Sequence, residues 1–161
     1  MTLSFEPMTA ECAAKIASWR YPPPYAVYGY ADEDAAPTVR YLTLSENQFY
    51  AVRRAGELVA FRSFGPDGRV AGGDYDEAYL DTGGGLRPDL TGRGYGAETI
   101  EAGLAFGRST FGERRFRVTV ADFNQRAQKV CRGIGFKPTH RFDRTPDGAP
   151  FTIFTIELGD V

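Results

Sequence analysis

The chain of 161 residues is short of the side chains from which many catalytic centres are assembled. It has one histidine, His140, and two cysteines, Cys12 and Cys131. Two cysteines make no disulfide framework in a chain this long. With a single histidine and neither an HExxH nor a CxxC pattern, no spaced zinc site is legible, and no metal is expected. A Ser-His-Asp triad would have to use His140, and no Gly-x-Ser-x-Gly elbow carries the serine. An excess of one charge is lacking too: 19 Lys and Arg stand against 21 Asp and Glu, a net charge of −2. That balance offers no bulk electrostatic grip on nucleic acid, which is not expected as a partner. No apolar run nears the roughly 20 residues of a membrane span. The stretch Met1-Thr-Leu-Ser-Phe-Glu-Pro7 has neither the basic end nor the apolar core of a signal peptide. The expectation is a cytoplasmic protein with no membrane partner, folded as one domain over 1–161 on a core of its own.

Glycine, by contrast, is abundant: 19 residues, 12 of them between Gly65 and Gly107. The stretch Thr82-Gly-Gly-Gly-Leu-Arg-Pro-Asp-Leu-Thr-Gly-Arg-Gly-Tyr-Gly-Ala-Glu98 alone holds six. Glycine serves where the backbone takes positive φ or where another group comes close. A ligand near this backbone is the direct inference.

The remaining pattern reads as alternating elements. Residues 3–7 form a first strand. Thr9 can cap a helix reaching Trp19, with Cys12, Ile16 and Trp19 on one face. Pro22-Pro-Pro24 ends it. Tyr21, Tyr25, Tyr28 and Tyr30 fall in an ordered loop or short helix, and Val39 to Leu44 suggests another helix. Residues 48–54 and 58–64 read as strands around an Ala55-Gly56 turn, and 77–87 as a third, stopped by Pro88. Residues 94–106 turn helical. Residues 114–120 alternate, with Phe116, Val118 and Val120 on one face and Arg115, Arg117 and Thr119 on a solvated one. A helix over 124–132 and strands over 136–142 and 151–158 complete a mixed α/β (α+β) domain.

The strand, turn and helix around 79–106 make an anion site. Gly92, Arg93, Gly94, Tyr95 and Gly96 offer consecutive N–H groups at a helix N-terminus, where orphan donors and the dipole favour phosphate. Arg93 adds a cation. The Walker pattern is absent, and Gly92-x-Gly-x-Gly is not GxGxxG, although it is close enough to leave a nucleotide-binding domain open.

Two segments resemble the GNAT acetyltransferase superfamily. Leu86-Arg-Pro-Asp-Leu-Thr-Gly-Arg-Gly-Tyr-Gly96 is similar to that family's acetyl-CoA motif, V-x-P-x-x-[QR]-x-x-G-x-[GA]. Asn124-Gln-Arg-Ala-Gln-Lys-Val-Cys-Arg-Gly-Ile-Gly-Phe136 is similar to N-x-x-A-x-x-x-Y-x-x-x-G-F. Both occur in the family's order, and the resemblance is clear over 47–158.

The resemblance implies a mostly antiparallel central sheet with a splayed strand pair, flanked by helices. It implies acetyl-CoA as co-substrate, with pantetheine entering between the strands that end near Leu86 and Val120. The Leu86 N–H would bond the thioester carbonyl, the Gly92–Gly96 amides would hold the pyrophosphate, and Arg87 and Thr91 are counted with the cofactor-binding residues. Asn124 would bond the pantetheine arm. The acceptor would be a primary amine of a small molecule or peptide, bounded by Tyr21, Tyr25, Tyr28 and Tyr30. Asp81, ahead of Asp76 and Glu77, would be the base, or else a partner in a strand-edge salt bridge. Thr91 stands where the family has Gln or Arg. Cys131 stands where it has a tyrosine acid, and is either an acid itself or a packed residue. That departure keeps a non-catalytic acyl-CoA-binding module as the alternative. The resemblance also leaves pairing as a homodimer open.

Overall fold

The computed structural model describes residues 2–30 and 33–159. Its elements run β1 (Leu3–Pro7), α1 (Ala10–Ala17), α2 (Ala36–Thr43), β2 (Phe49–Arg54), β3 (Glu57–Phe64), β4 (Leu80–Leu86), α3 (Tyr95–Phe111), β5 (Arg115–Ala121), α4 (Gln125–Ile134), β6 (Lys137–Asp143) and β7 (Pro150–Glu157). Single 3-10 turns at Tyr25–Tyr28, Pro66–Gly68 and Pro88–Leu90 shape the connections that matter below.

The strands form one sheet in the order β1-β2-β3-β4-β5-β7-β6. Every neighbouring pair is antiparallel except β4 and β5. Strand residues alternate between faces, and each face has its own helices. Phe49, Ala51 and Phe61 pack with Cys12, Ile16 and Leu42 of α1 and α2. Phe64, Phe116, Val118 and Val120 pack with Leu104 of α3 and Cys131 of α4. Among the described residues no helix is long and apolar enough to cross a membrane.

Local chemistry accounts for the helix ends. The Thr9 hydroxyl accepts from the Cys12 N–H at 3.2 Å, capping α1. The Asn124 carbonyl oxygen does the same for α4, accepting from the Ala127 N–H at 3.0 Å. Helix α3 runs five residues past the expected Phe106, because Phe111 still packs against Tyr50 and Phe64. Strand β4 starts at Leu80 rather than residue 77, since the Asp76 carboxylate bonds the Ala78 N–H and turns the chain. The expectation of a solvated Arg117 fails. This arginine is 4% exposed, because its guanidinium meets Asp81 on β4 and Asp76 in the preceding loop.

The β4–β5 pair positions the site. Its register covers only Leu80↔Phe116 and Asp81↔Arg117. Beyond Asp81, β4 stays with β3 as far as Leu86, and β5 stays with β7 as far as Ala121. The two strands therefore part, and a wedge opens in the middle of the sheet.

Candidate active site

A cleft of about 500 Å³ occupies the wedge and continues to both faces of the sheet. The free edge of β4 is its floor. The Arg87 N–H donates to the Val59 carbonyl at 2.8 Å. In an antiparallel ladder successive residues turn alternately toward and away from the partner strand, so Leu86 and Gly84 present their N–H and C=O to the gap. The Leu86 carbonyl accepts from the Tyr21 hydroxyl at 2.6 Å. A side chain at Gly84 is excluded: its Cβ would lie 2.1 Å from the Phe61 carbonyl oxygen, so β4 could not stay against β3.

One end of the cleft is the start of α3. Gly94, at φ 89°, makes the left-handed turn into the helix, and no side chain caps the helix there. The first N–H groups of α3 are thus orphan donors. Thr91, Gly92, Gly94 and Gly96 line this end. Arg126 of α4 stands over it, with Nη1 2.9 Å from where a Gly92 Cβ would be and its guanidinium 4.3 Å from the Tyr25 ring. Three residues expected here point elsewhere. Arg87 pairs with Asp89, Arg93 donates to the Asp89 carbonyl, and Tyr95 packs its ring beneath Arg54. Their contribution is limited to backbone. Arg126 was not among the expected residues; its only signal is its place two residues after Asn124.

The other end is aromatic. Tyr21, Tyr25, Tyr28 and Tyr30 all line the cleft, as does Phe61. Burial pushes the Tyr21 hydroxyl up to about 12 and raises that of Tyr30 as well, so both stay protonated donors. Tyr25, Tyr28 and Phe123 stack at the mouth, with ring centroids 5.8–6.4 Å apart. The Asn124 amide donates to the Tyr28 hydroxyl at 3.1 Å while its oxygen caps α4. Asn124 lines the cleft, and its side chain bridges α4 and Tyr28 there.

Two further charged residues of the cleft, besides Arg126, were not among those expected. Asp67, on the 3-10 turn after β3, accepts from the Tyr41 and Ser63 hydroxyls and opens onto the aromatic end. Arg62, inside β3, lines the cleft from the α3 side.

The two expected catalytic side chains do not reach the cleft. Asp81 is 2% exposed and both its oxygens are taken. Arg117 donates from Nε at 2.7 Å and Nη2 at 2.8 Å, and Arg69 from Nε at 2.9 Å. Such a carboxylate is an ion-pair acceptor, not a base waiting for a substrate proton. Asp76 and Glu77 are drawn into the same network. Cys131 is buried in the core against Phe136 and Phe154, and burial pushes its thiol up to about 11. The packed reading of Cys131 fits this geometry better than an acid role.

A profile of the Acetyltransferase (GNAT) family matches residues 13–136. The chain belongs to the GNAT acetyltransferase family. Among curated proteins nothing matches. Solved structures show the same GNAT fold. AAC(6')-Ib in complex with ribostamycin and coenzyme A is 18% identical with a TM-score of 0.77, over 98% of this chain and 94% of the other. A GNAT-family acetyltransferase from Bacillus anthracis is 18% identical with a TM-score of 0.70, over 96% and 94%. A spermidine N-acetyltransferase SpeG chimera from Vibrio cholerae is 13% identical with a TM-score of 0.72, over 96% and 95%. At these identities the likeness is one of fold.

Proposed function

We propose that this GNAT protein moves an acetyl group from acetyl-CoA to a primary amine of a small molecule or peptide, by direct transfer. The observation that carries the reading is one continuous cleft. It joins an uncapped helix start, an unpaired strand edge and an aromatic pocket with a carboxylate at its wall.

Each part suits a part of the co-substrate. The orphan N–H groups of α3, with Arg126, fit a pyrophosphate. The free edge at Gly84 and Leu86 can bond the amides of pantetheine as a neighbouring strand would. The Leu86 N–H then lies where a thioester carbonyl can be polarised. The structures of AAC(6')-Ib with coenzyme A and an aminoglycoside support this choice of ligands.

Holding amine and thioester together supplies most of the rate, through lost entropy that binding has already covered. In this reading Asp67 takes the proton of the attacking nitrogen. The tyrosine rings and Phe61 hold the acceptor, by cation–π contact for an ammonium or by stacking for an apolar stem.

The test is acetyl transfer to a panel of polyamines, aminoglycosides and peptide N-termini, comparing the wild type with Asp67→Asn. The expected result is turnover of at least one class, lowered about 100-fold by Asp67→Asn with coenzyme A affinity little changed. Coenzyme A binding without turnover of any amine would instead support the non-catalytic acyl-CoA-binding module. Preference for NAD or ATP would overturn both.

A further inference from the structure

Arg62 is an anomaly of the core. It sits in the middle of β3, between β2 and β4, and is 7% exposed. Its Nη2 donates to the Thr82 hydroxyl at 3.1 Å, and its Nε is buried with no hydrogen-bond partner. Among the described residues no carboxylate lies within ion-pairing distance of it. The ionisable groups that influence it are the Cys131 thiol, which is neutral at pH 7, and the Asp67 carboxylate. Burial without an anion pulls the guanidinium down to about 10, which still leaves it a cation at neutral pH. A buried cation left unpaired is costly, and such a group in a cleft marks a place where negative charge arrives.

The cleft arranges its charges on opposite sides of the sheet. Asp67 bonds Tyr41 of α2 and faces the α1/α2 side. Arg62 is on the other face, its Nε 3.6 Å from where a Cβ on Gly103 of α3 would sit. The glycine edge of β4 runs between them. Cys131, at the family motif's tyrosine position, is packed near Arg62, so no hydroxyl from α4 is available there to protonate a leaving group.

We infer that Arg62 stabilises the departing thiolate of the acyl donor, as the electrostatic counterpart of Asp67 on the amine side. The inference rests on the acetyl-CoA reading above. The amine nitrogen forms the N–C bond with the thioester carbonyl carbon. The C–S bond breaks with its electron pair on sulfur, and the surplus nitrogen proton goes to Asp67. The thiolate leaves beside Arg62 as an anion and takes its proton from water after release, while Asp67 returns its proton to solvent. No acid on α4 is needed.

The test compares binding of coenzyme A and desulfo-coenzyme A by calorimetry across pH, in the wild type, Arg62→Met and Arg62→Lys. A cation beside sulfur lowers the bound thiol's pKa below an ordinary thiol value of about 8.5. The wild-type preference for coenzyme A over the desulfo analogue should then climb with pH, about tenfold for each unit of lowering. Arg62→Met should bind both ligands with a flat ratio, and Arg62→Lys should keep part of the slope. Arg62→Met should also melt no lower than the wild type, since removing an unpaired buried charge relieves a cost. A flat ratio in the wild type overturns the inference whatever the variants do. So does an equal slope in Arg62→Met, or a lower melting temperature with an unchanged slope, which would assign Arg62 to the core alone. If the wild type binds neither ligand, the acetyl-CoA reading itself fails.

Discussion

The two ends of β4 behave as different materials. At Leu80 and Asp81 the strand is paired to β5, and Asp81 meets Arg117 in a buried bidentate ion pair. From Gly83 to Leu86 it has no partner on that side and little side chain, and a cleft opens along it. The first end fixes where the strands touch, and the second exposes backbone to a ligand. A splay of this kind needs both: without the clamp the gap has no defined width, and without the glycines it would fill. Asp81, two residues before the glycines, therefore belongs to the scaffold, while the charged groups that face the cleft come from β3, the turn after it and α4.

Substitutions can break this contrast. The largest effect is expected at the clamp. Asp81→Asn leaves Arg117 buried with only the exposed Asp76, and should cost about 3 kcal/mol in urea unfolding. Were Asp81 a catalytic base instead, the variant would keep its stability and lose its rate. Next comes the glycine edge. Gly84→Ala drives a Cβ into the Phe61 carbonyl, so a loss of about 2 kcal/mol together with weaker coenzyme A binding is expected. At the helix start, Gly94→Ala meets no neighbour within 4 Å and is strained by φ alone, about 1 kcal/mol, again read by urea unfolding.

The smallest effect concerns Cys131. Its folded thiol titrates near 11 against an ordinary 9.0, so its contribution to stability is complete below pH 9. Above that the unfolded chain loses the proton first, and stability falls as pH climbs toward 11. Half a unit above the ordinary value the loss is under about 1 kcal/mol, and Cys131→Ala should remove that alkaline slope.

How much of this was legible follows from what each residue depends on. The helix start at Gly92 to Gly96 and the strand before it were readable, because glycine's effect on backbone is local and needs no partner. The tyrosines of the 21–30 loop were readable as a group for a similar reason: so many aromatic rings around a single proline run are not hidden by a core pattern. Arg62 was not readable. In Leu58-Val-Ala-Phe-Arg-Ser-Phe64 an arginine looks like the polar side of an alternating strand, and only the sheet order, which puts β3 between β2 and β4, buries it. Arg117 misled for the same cause. Its partner Asp81 is 36 residues away and comes opposite through the parallel register of β4 and β5. Asp67 lay in a Pro-Asp-Gly turn, where aspartate is common for local reasons, and its facing of the cleft depends on Ser63 and Tyr41.

The central claim is that the open end of β4 and the start of α3 hold acetyl-CoA. The direct measurement is calorimetric titration of acetyl-CoA into the wild type and Gly96→Glu. Gly96 lines the cleft, and a Cβ there would touch only the Leu86 side chain, at 3.9 Å. A glutamate in the first turn of α3 also suits the helix dipole, so the fold should survive. Saturable binding to the wild type, lost in a folded Gly96→Glu, is the predicted result. Equal binding to both, or none to the wild type, would contradict the account.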